Sequence, residues 1–352
     1  MNTKQLTFVR EYLGISQTEL ASKIPGLSQS NLSKFEKGVG PLSEDVINRI
    51  IEYLKFPKDF YSLNICNKVE NAHYRKKATV GKKEKCKIEL YNKILGYIID
   101  EMAESIEYPP LNIKTIDLED GYTPEYAALF TRRFMGIIGT GPIKDINKLF
   151  ENHGIIVLEQ DYDTENFDGV SFITDKGFYV IIVNKNFSND RKRLTLAHEL
   201  GHIIMHLSPE TPIPEYRDRE KEAFKFAAEF LMPEEEIRNS LEGLKLSYLI
   251  PLKKYWLTSM ASIIRRAKDL NCITSDKYTY LNVELSRKGY KKQEPIEVYL
   301  DSPTVFYTAY KLLKTELKYS EDDMAKAFLL PRSVIRRVFE NNNSSVKLRI
   351  VY

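Results

Sequence analysis

Three of the chain's five histidines fall in one short run, TLAHELGHIIMH, at residues 195–206. His198, His202 and His206 recur every four residues, and Glu199 directly follows the first. On an α-helix, residues i and i+4 lie one turn apart on the same face. His198 and His202 can therefore aim their imidazoles at one ion, and zinc takes histidine nitrogen at about 2.0–2.1 Å. Glu199 is rotated about 100° from His198, which sets its carboxylate beside such an ion rather than on it. There it can accept a proton from a metal-bound water, whose pKa zinc lowers to about 7. The run thus has a ligand, base, ligand order suited to hydrolysis. The bland alternative is an amphipathic helix with two core histidines. Gly201 costs such a helix about 1 kcal/mol relative to alanine, and a close approach by another segment would account for it. His206 lies two turns, roughly 12 Å, from His198 along a continuous helix, too far to share the ion. It is read as a neighbour of the site or as a plain surface histidine.

A catalytic zinc has three protein ligands and one open position. The third is sought in RDREKEAFKFAAEFLMP, residues 217–233, which offers Glu220, Glu222 and Glu229. Helical steps from Glu220 meet Ala223, Phe224, Ala227 and Leu231, so Glu220 opens an apolar stripe. A carboxylate on a buried stripe needs a partner, which makes Glu220 the first choice and Glu222 the second. A solvated acidic face suits Glu229 better.

A second chemistry sits near the N-terminus, in SQTELASKIPGLSQSNLSKFEKG. Ser16 with Glu19 forms a capping box, Pro25 and Gly26 force a turn, and Ser28 caps a further helix closed by Gly38. The stretch resembles the Cro/repressor-type (XRE) helix-turn-helix, and the resemblance implies that Gln17 meets phosphate while Ser28, Gln29, Ser30, Ser33 and Lys34 head or line the helix that enters a major groove. A glutamine amide can pair with adenine, and a lysine can reach phosphate or guanine. Leu20, Ala21, Leu32 and Phe35 are read as core. Residues 3–59 carry eight basic and seven acidic side chains, so one copy of this module offers double-stranded DNA little neutralising charge. A homodimer would add a second half-site.

Around these motifs the periodicity predicts four helices in residues 1–62. A basic linker and an amphipathic helix of about 83–106 follow, within 63–110. Residues 68–87 hold eight basic against two acidic side chains, either further phosphate contacts or a solvated linker. Residues 111–290 are expected to be mixed: helices near 124–135 and 142–153, strands at 154–160, 168–174 and 177–184, a histidine helix to about 207, and helices from about 216. The last two strands, joined by Asp175-Lys176, suggest a hairpin and a small antiparallel sheet. Residues 291–352 are read as a small helical module, with 319–339 packing rather than reading DNA. Trp256 is expected in the core.

The bulk composition sets bounds. The 352 residues carry 52 basic and 49 acidic side chains, net +3, so any nucleic-acid surface must be local. Cys66, Cys86 and Cys272 are too few and too scattered for a disulfide framework. A reduced, cytoplasmic protein is the simplest expectation. No apolar run approaches the ~18 residues of a membrane span.

TLAHELGHIIMH followed by REKEAFKFAAEFLMP resembles the ImmA/IrrE family of bacterial zinc metallopeptidases, over about residues 113–233. The resemblance implies a zincin-like α+β domain, Zn2+ held by His198, His202 and Glu220, and Glu199 as general base. It also implies a protein substrate, a partner repressor or antitoxin. Phe224 departs from the pattern, standing where the family has Asn or Asp, expected to orient a ligand histidine. The N-terminal module resembles the Cro/repressor-type (XRE) helix-turn-helix. The whole reads as a multidomain chain: an all-α DNA-binding domain, a metallopeptidase domain and a helical C-terminal module. The expected function is a DNA-binding regulator with a peptidase. A non-catalytic regulator, with the zinc fold as sensor or scaffold, is the alternative.

Overall fold

The structure, a computed structural model, describes residues 2–65, 81–207, 214 and 216–340. Cys66 and most of the basic stretch lie outside the described residues.

Four helices open the chain: α1 (Thr3–Tyr12), α2 (Gln17–Lys23), α3 (Gln29–Glu36) and α4 (Glu44–Leu54). Ser16 and Glu19 close the expected capping box, and Ser28 and Ser43 cap α3 and α4 through their hydroxyls. Gly26 turns the chain between α2 and α3 at φ +82, a conformation that a side chain disfavours. Leu6, Val9, Leu20, Leu32 and Ile50 fill the centre.

The long helix α5 (Lys82–Met102) leads to α6 (Pro124–Phe134) and α7 (Ile146–Glu151). Three strands follow: β1 (Ile155–Gln160), β2 (Gly169–Ile173) and β3 (Tyr179–Asn184). They form one sheet in the order β1-β3-β2. β2 and β3 make the expected hairpin, with Val170 opposite Ile182. The sheet is mixed rather than wholly antiparallel, because β1 pairs parallel to β3, Val157 opposite Ile181. The crossover that parallel pairing needs is supplied by β2, threaded between β1 and β3 in sequence. Next come α8 (Asn189–His206) and α9 (Arg219–Leu231). They are followed by α10 (Glu234–Leu241), α11 (Leu249–Trp256), α12 (Met260–Asp269) and α13 (Ser275–Arg287). The chain's last described helices are α14 (Val305–Thr315), α15 (Glu321–Ala327) and α16 (Arg332–Glu340).

Alternation along the strands divides the interior into two cores. Ile155, Val157, Ile181 and Val183 face α8, α9 and the helices beyond, where Trp256 is buried as expected. Ile156, Leu158, Val170, Phe172, Val180 and Ile182 face the other way. There they join α5, the four N-terminal helices and α14–α16 in one continuous apolar cluster. The C-terminal module is therefore a packing element: Met324, Val334, Ile335 and Val338 are buried in that core. Tyr97 on α5 donates its hydroxyl to the Phe328 carbonyl at 3.1 Å.

Candidate metal centre

The histidine helix is held at its N-terminal end by buried charge. Arg193 donates to the backbone carbonyls of Ile143 and Lys144, the latter at 3.0 Å. Burial pushes this guanidinium down to about 10. Lys253 pairs with Asp190 and Glu294 under the first turn. α9 packs along α8 at the motif's glycine: a Cβ on Gly201 would come within 3.1 Å of the Phe226 ring. The close approach expected from Gly201 is therefore present, and Phe226 makes it. α9 is fixed at its far end by Arg132, which donates to the Phe230 carbonyl at 2.6 Å, and by the buried Glu229–Arg266 pair. Glu229 was expected on a solvated face. It is instead 3% exposed, because α12 brings Arg266 to it.

Between these two helices the donor atoms converge. His198 Nε2 and His202 Nε2 are 3.1 Å apart. Glu220 brings Oε1 to 3.3 Å from His202 Nε2 and Oε2 to 3.5 Å from His198 Nε2. A tetrahedral zinc shell with bonds of about 2.0–2.1 Å has edges of about 3.3–3.4 Å. The three groups therefore fit one such ion by donor type and by spacing. Both histidines are buried and Glu220 is half-buried.

Glu199 is almost wholly buried, and Ser171 on β2 donates its hydroxyl to Oε2 at 2.7 Å. The next residues either way, Val170 and Phe172, belong to the opposite core, so strand alternation aims Ser171 at the site. Glu222 turns away from the triad. It takes Arg217 on both oxygens, Nε on Oε1 at 3.0 Å and Nη2 on Oε2 at 2.8 Å. It also meets His206 Nε2 at 2.8 Å. Burial works to raise the Glu222 carboxyl, but the bonds from Arg217 and His206 outweigh it and hold it low. His206 is no surface histidine. It is 5% exposed, and its Nδ1 lies 2.8 Å from Nδ1 of His202. Burial lowers its imidazole to about 4. Phe224 does not continue the apolar stripe expected from Glu220 into the core. It is half exposed, and its ring lies 4.3 Å from that of His198.

At the N-terminal module, Gln29, Ser30 and Lys34 are exposed on α3, and Ser33 is half-buried. Ser28 spends its hydroxyl on the Asn31 amide, at 3.2 Å. Gln17 is held from both sides: it donates to Glu36 at 2.6 Å and accepts from Gln29 at 2.9 Å. Arg10 anchors the same Glu36 at 2.6 Å from α1. The polar face of α2 and α3 is thus pre-arranged as one network.

The sequence does not mark Ser171 or Arg217 as site residues. Of the two readings of His206, the structure has the neighbour of the site, through its contact with the His202 ring. A serine between two apolar strand residues was a signal for Ser171, but its partner on another element was not readable.

No curated protein matches the chain. Residues 9–61 match a family model described as helix-turn-helix, and residues 150–268 one described as IrrE N-terminal-like domain, a peptidase family. The second match begins at α7 and runs through α12, so it takes in the triad, Ser171 and Arg266 together. The chain thus carries a helix-turn-helix module followed by a region similar to the IrrE N-terminal-like domain of a peptidase family.

Proposed function

We propose that the protein is a DNA-binding regulator whose second domain is a zinc-dependent endopeptidase acting on a partner protein of the repressor or antitoxin class. The observation that carries the reading is the convergence of His198, His202 and Glu220 on one another, next in sequence to the buried acid Glu199. His198, His202 and Glu220 would hold the zinc. When bound, the ion polarises a scissile carbonyl and acidifies a water. Glu199 takes the proton of the attacking water at a carboxylate oxygen and delivers it to the leaving amine. Ser171 keeps the other side of that carboxylate directed by its hydroxyl bond. β2 pairs with β3 on one edge, and its second edge is suited to an extended substrate added as a further strand. On the DNA side, Gln29, Ser30, Ser33 and Lys34 face the bases and phosphates, Gln17 braces Gln29, and Ser28 sets the helix start.

A second reading, a zinc-holding sensor without chemistry, is favoured by one observation: Phe224, apolar and half exposed, lies against His198.

The deciding experiment measures zinc per chain in wild type, His198→Ala and Glu220→Ala, then peptide cleavage by Glu199→Gln. The peptidase reading expects about one zinc in wild type, little in the first two variants, and zinc retained with cleavage abolished in the third. Unchanged regulation in cells carrying Glu199→Gln supports the sensor and sinks the peptidase.

A further inference from the structure

The three histidines of α8 form a line of ring contacts that ends on an acid. His198 Nε2 faces His202 Nε2 at 3.1 Å, His202 Nδ1 faces His206 Nδ1 at 2.8 Å, and His206 Nε2 faces Glu222 Oε2 at 2.8 Å. Glu222 is in turn gripped on both oxygens by Arg217, itself largely buried and within 3.7 Å of Glu119. His202 and His206 are both buried, so water does not stand between the rings.

We propose that His206, Glu222 and Arg217 form a positioning relay that sets the tautomer and ring plane of His202, and so aims its Nε2 lone pair at the metal. This rests on the reading of His202 as a zinc ligand. The direction of the relay follows from which atoms can donate. Glu222, ionised beside Arg217, only accepts, so the neutral His206 ring must carry its proton on Nε2. Its Nδ1 is then a lone pair, which can only accept from His202 Nδ1–H. A neutral His202 with its proton on Nδ1 has a bare Nε2, the form a metal needs. The opposite order puts a proton on His202 Nε2, where it blocks the ion. It also turns a bare nitrogen of His206 toward a carboxylate. One acid three groups removed from the ion therefore chooses between a metal-ready and a metal-blocked histidine.

Ligand histidines ordinarily donate their second N–H to a carboxylate, carbonyl or water. Here another imidazole, one helical turn on, receives it. The device needs only the four-residue step that already brings His198 and His202 together. It also gives a direct orienter to one ligand histidine, in a site where Phe224 lies against the other.

The test is zinc affinity, measured by competition with a chromophoric chelator on the full chain. His206→Phe keeps ring volume and removes the acceptor. His206→Asn keeps an acceptor oxygen near the place of Nδ1. Glu222→Gln keeps shape and removes the charge that orders the protons. The relay expects zinc affinity to fall about 10–100-fold in His206→Phe, to fall comparably in Glu222→Gln, and to stay near wild type in His206→Asn. A role in packing alone expects the reverse order, with Phe tolerated better than Asn, and that result overturns the relay. Wild-type affinity in both His206→Phe and Glu222→Gln overturns it too. A wild type that takes up no zinc overturns the ligand reading and the relay together, whereas loss confined to His198→Ala and Glu220→Ala overturns the relay alone. Long-range proton–nitrogen spectra of histidine-labelled wild type supply a readout that needs no His206 or Glu222 variant. His206 protonated on Nε2 is expected, and protonation on Nδ1 overturns the relay whatever the affinities.

Discussion

Ser171 on β2 donates its hydroxyl to the Glu199 carboxylate at 2.7 Å, so the sheet holds the acid of the histidine motif from across the domain. A hydrogen bond to a charged group contributes about 1.5–3 kcal/mol. Ser171→Ala should therefore lower unfolding free energy by about 1–3 kcal/mol in urea titrations. It should leave zinc content unchanged, since Ser171 meets the acid and none of the three donor groups. A variant as stable as wild type would show that Glu199 gains nothing from the strand.

Gly201→Ala sets two effects against each other. Alanine favours the helix by about 1 kcal/mol, but its Cβ would meet Phe226 at 3.1 Å, and overpacking costs about 1–3 kcal/mol. The second effect should win, with a fall in melting temperature. Adding Phe226→Leu should recover part of it. Equal losses in the single and double variants would show that the ring is not the obstacle.

Glu229 and Arg266 test the scaffold separately from the site. Both are buried, and α9 depends on the pair. Glu229→Ala strands a buried guanidinium and should cost about 3–5 kcal/mol, while zinc affinity at a temperature where the chain stays folded should hold. A strong loss of zinc with little loss of stability would instead place Glu229 in the site.

On DNA, two variants should fail in different ways. Gln29→Ala should cost about 1–3 kcal/mol on the preferred sequence and relax the choice of base. Lys34→Ala should weaken all sequences alike and lower the slope of log affinity against log salt by about 1. The check is binding measured at several salt concentrations on matched and mismatched duplexes. Identical salt slopes in wild type and Lys34→Ala would remove Lys34 from the phosphate contacts.

The parts legible in the sequence are those decided by short-range spacing. The capping serines, the i, i+4 histidines, the Gly201 contact and the β2–β3 hairpin all follow from rules that act within a few residues, and the structure has them. Glu220 was reached across a loop only because a buried carboxylate demands partners. What stayed hidden depends on pairs far apart in the chain. Arg266 converts Glu229 from surface to core at a separation of 37 residues. Ser171 finds Glu199 at a separation of 28. β1 lies parallel to β3, a pairing that no local pattern of β1 announces. For His206 the four-residue spacing leaves a neighbour of the site and a surface histidine equally open, and only the packing of Glu222 and His202 against it decides for the first.

The sheet has no spare face. One side carries the helix with the histidines, and the other is covered by α5 and α14. A protease or a cloning design that separated the four N-terminal helices at the basic stretch would lay bare the surfaces of α1 and α5 that pack on each other, and the ring contact of Phe60 with Tyr97 beside them. The orphaned half should clump rather than work on its own. Any conversation between the two halves must therefore pass through more than the sheet. A push on the histidine helix crosses the strands to α5, and α5 must hand it to α1 before it can reach the helix that carries Gln29 and Lys34.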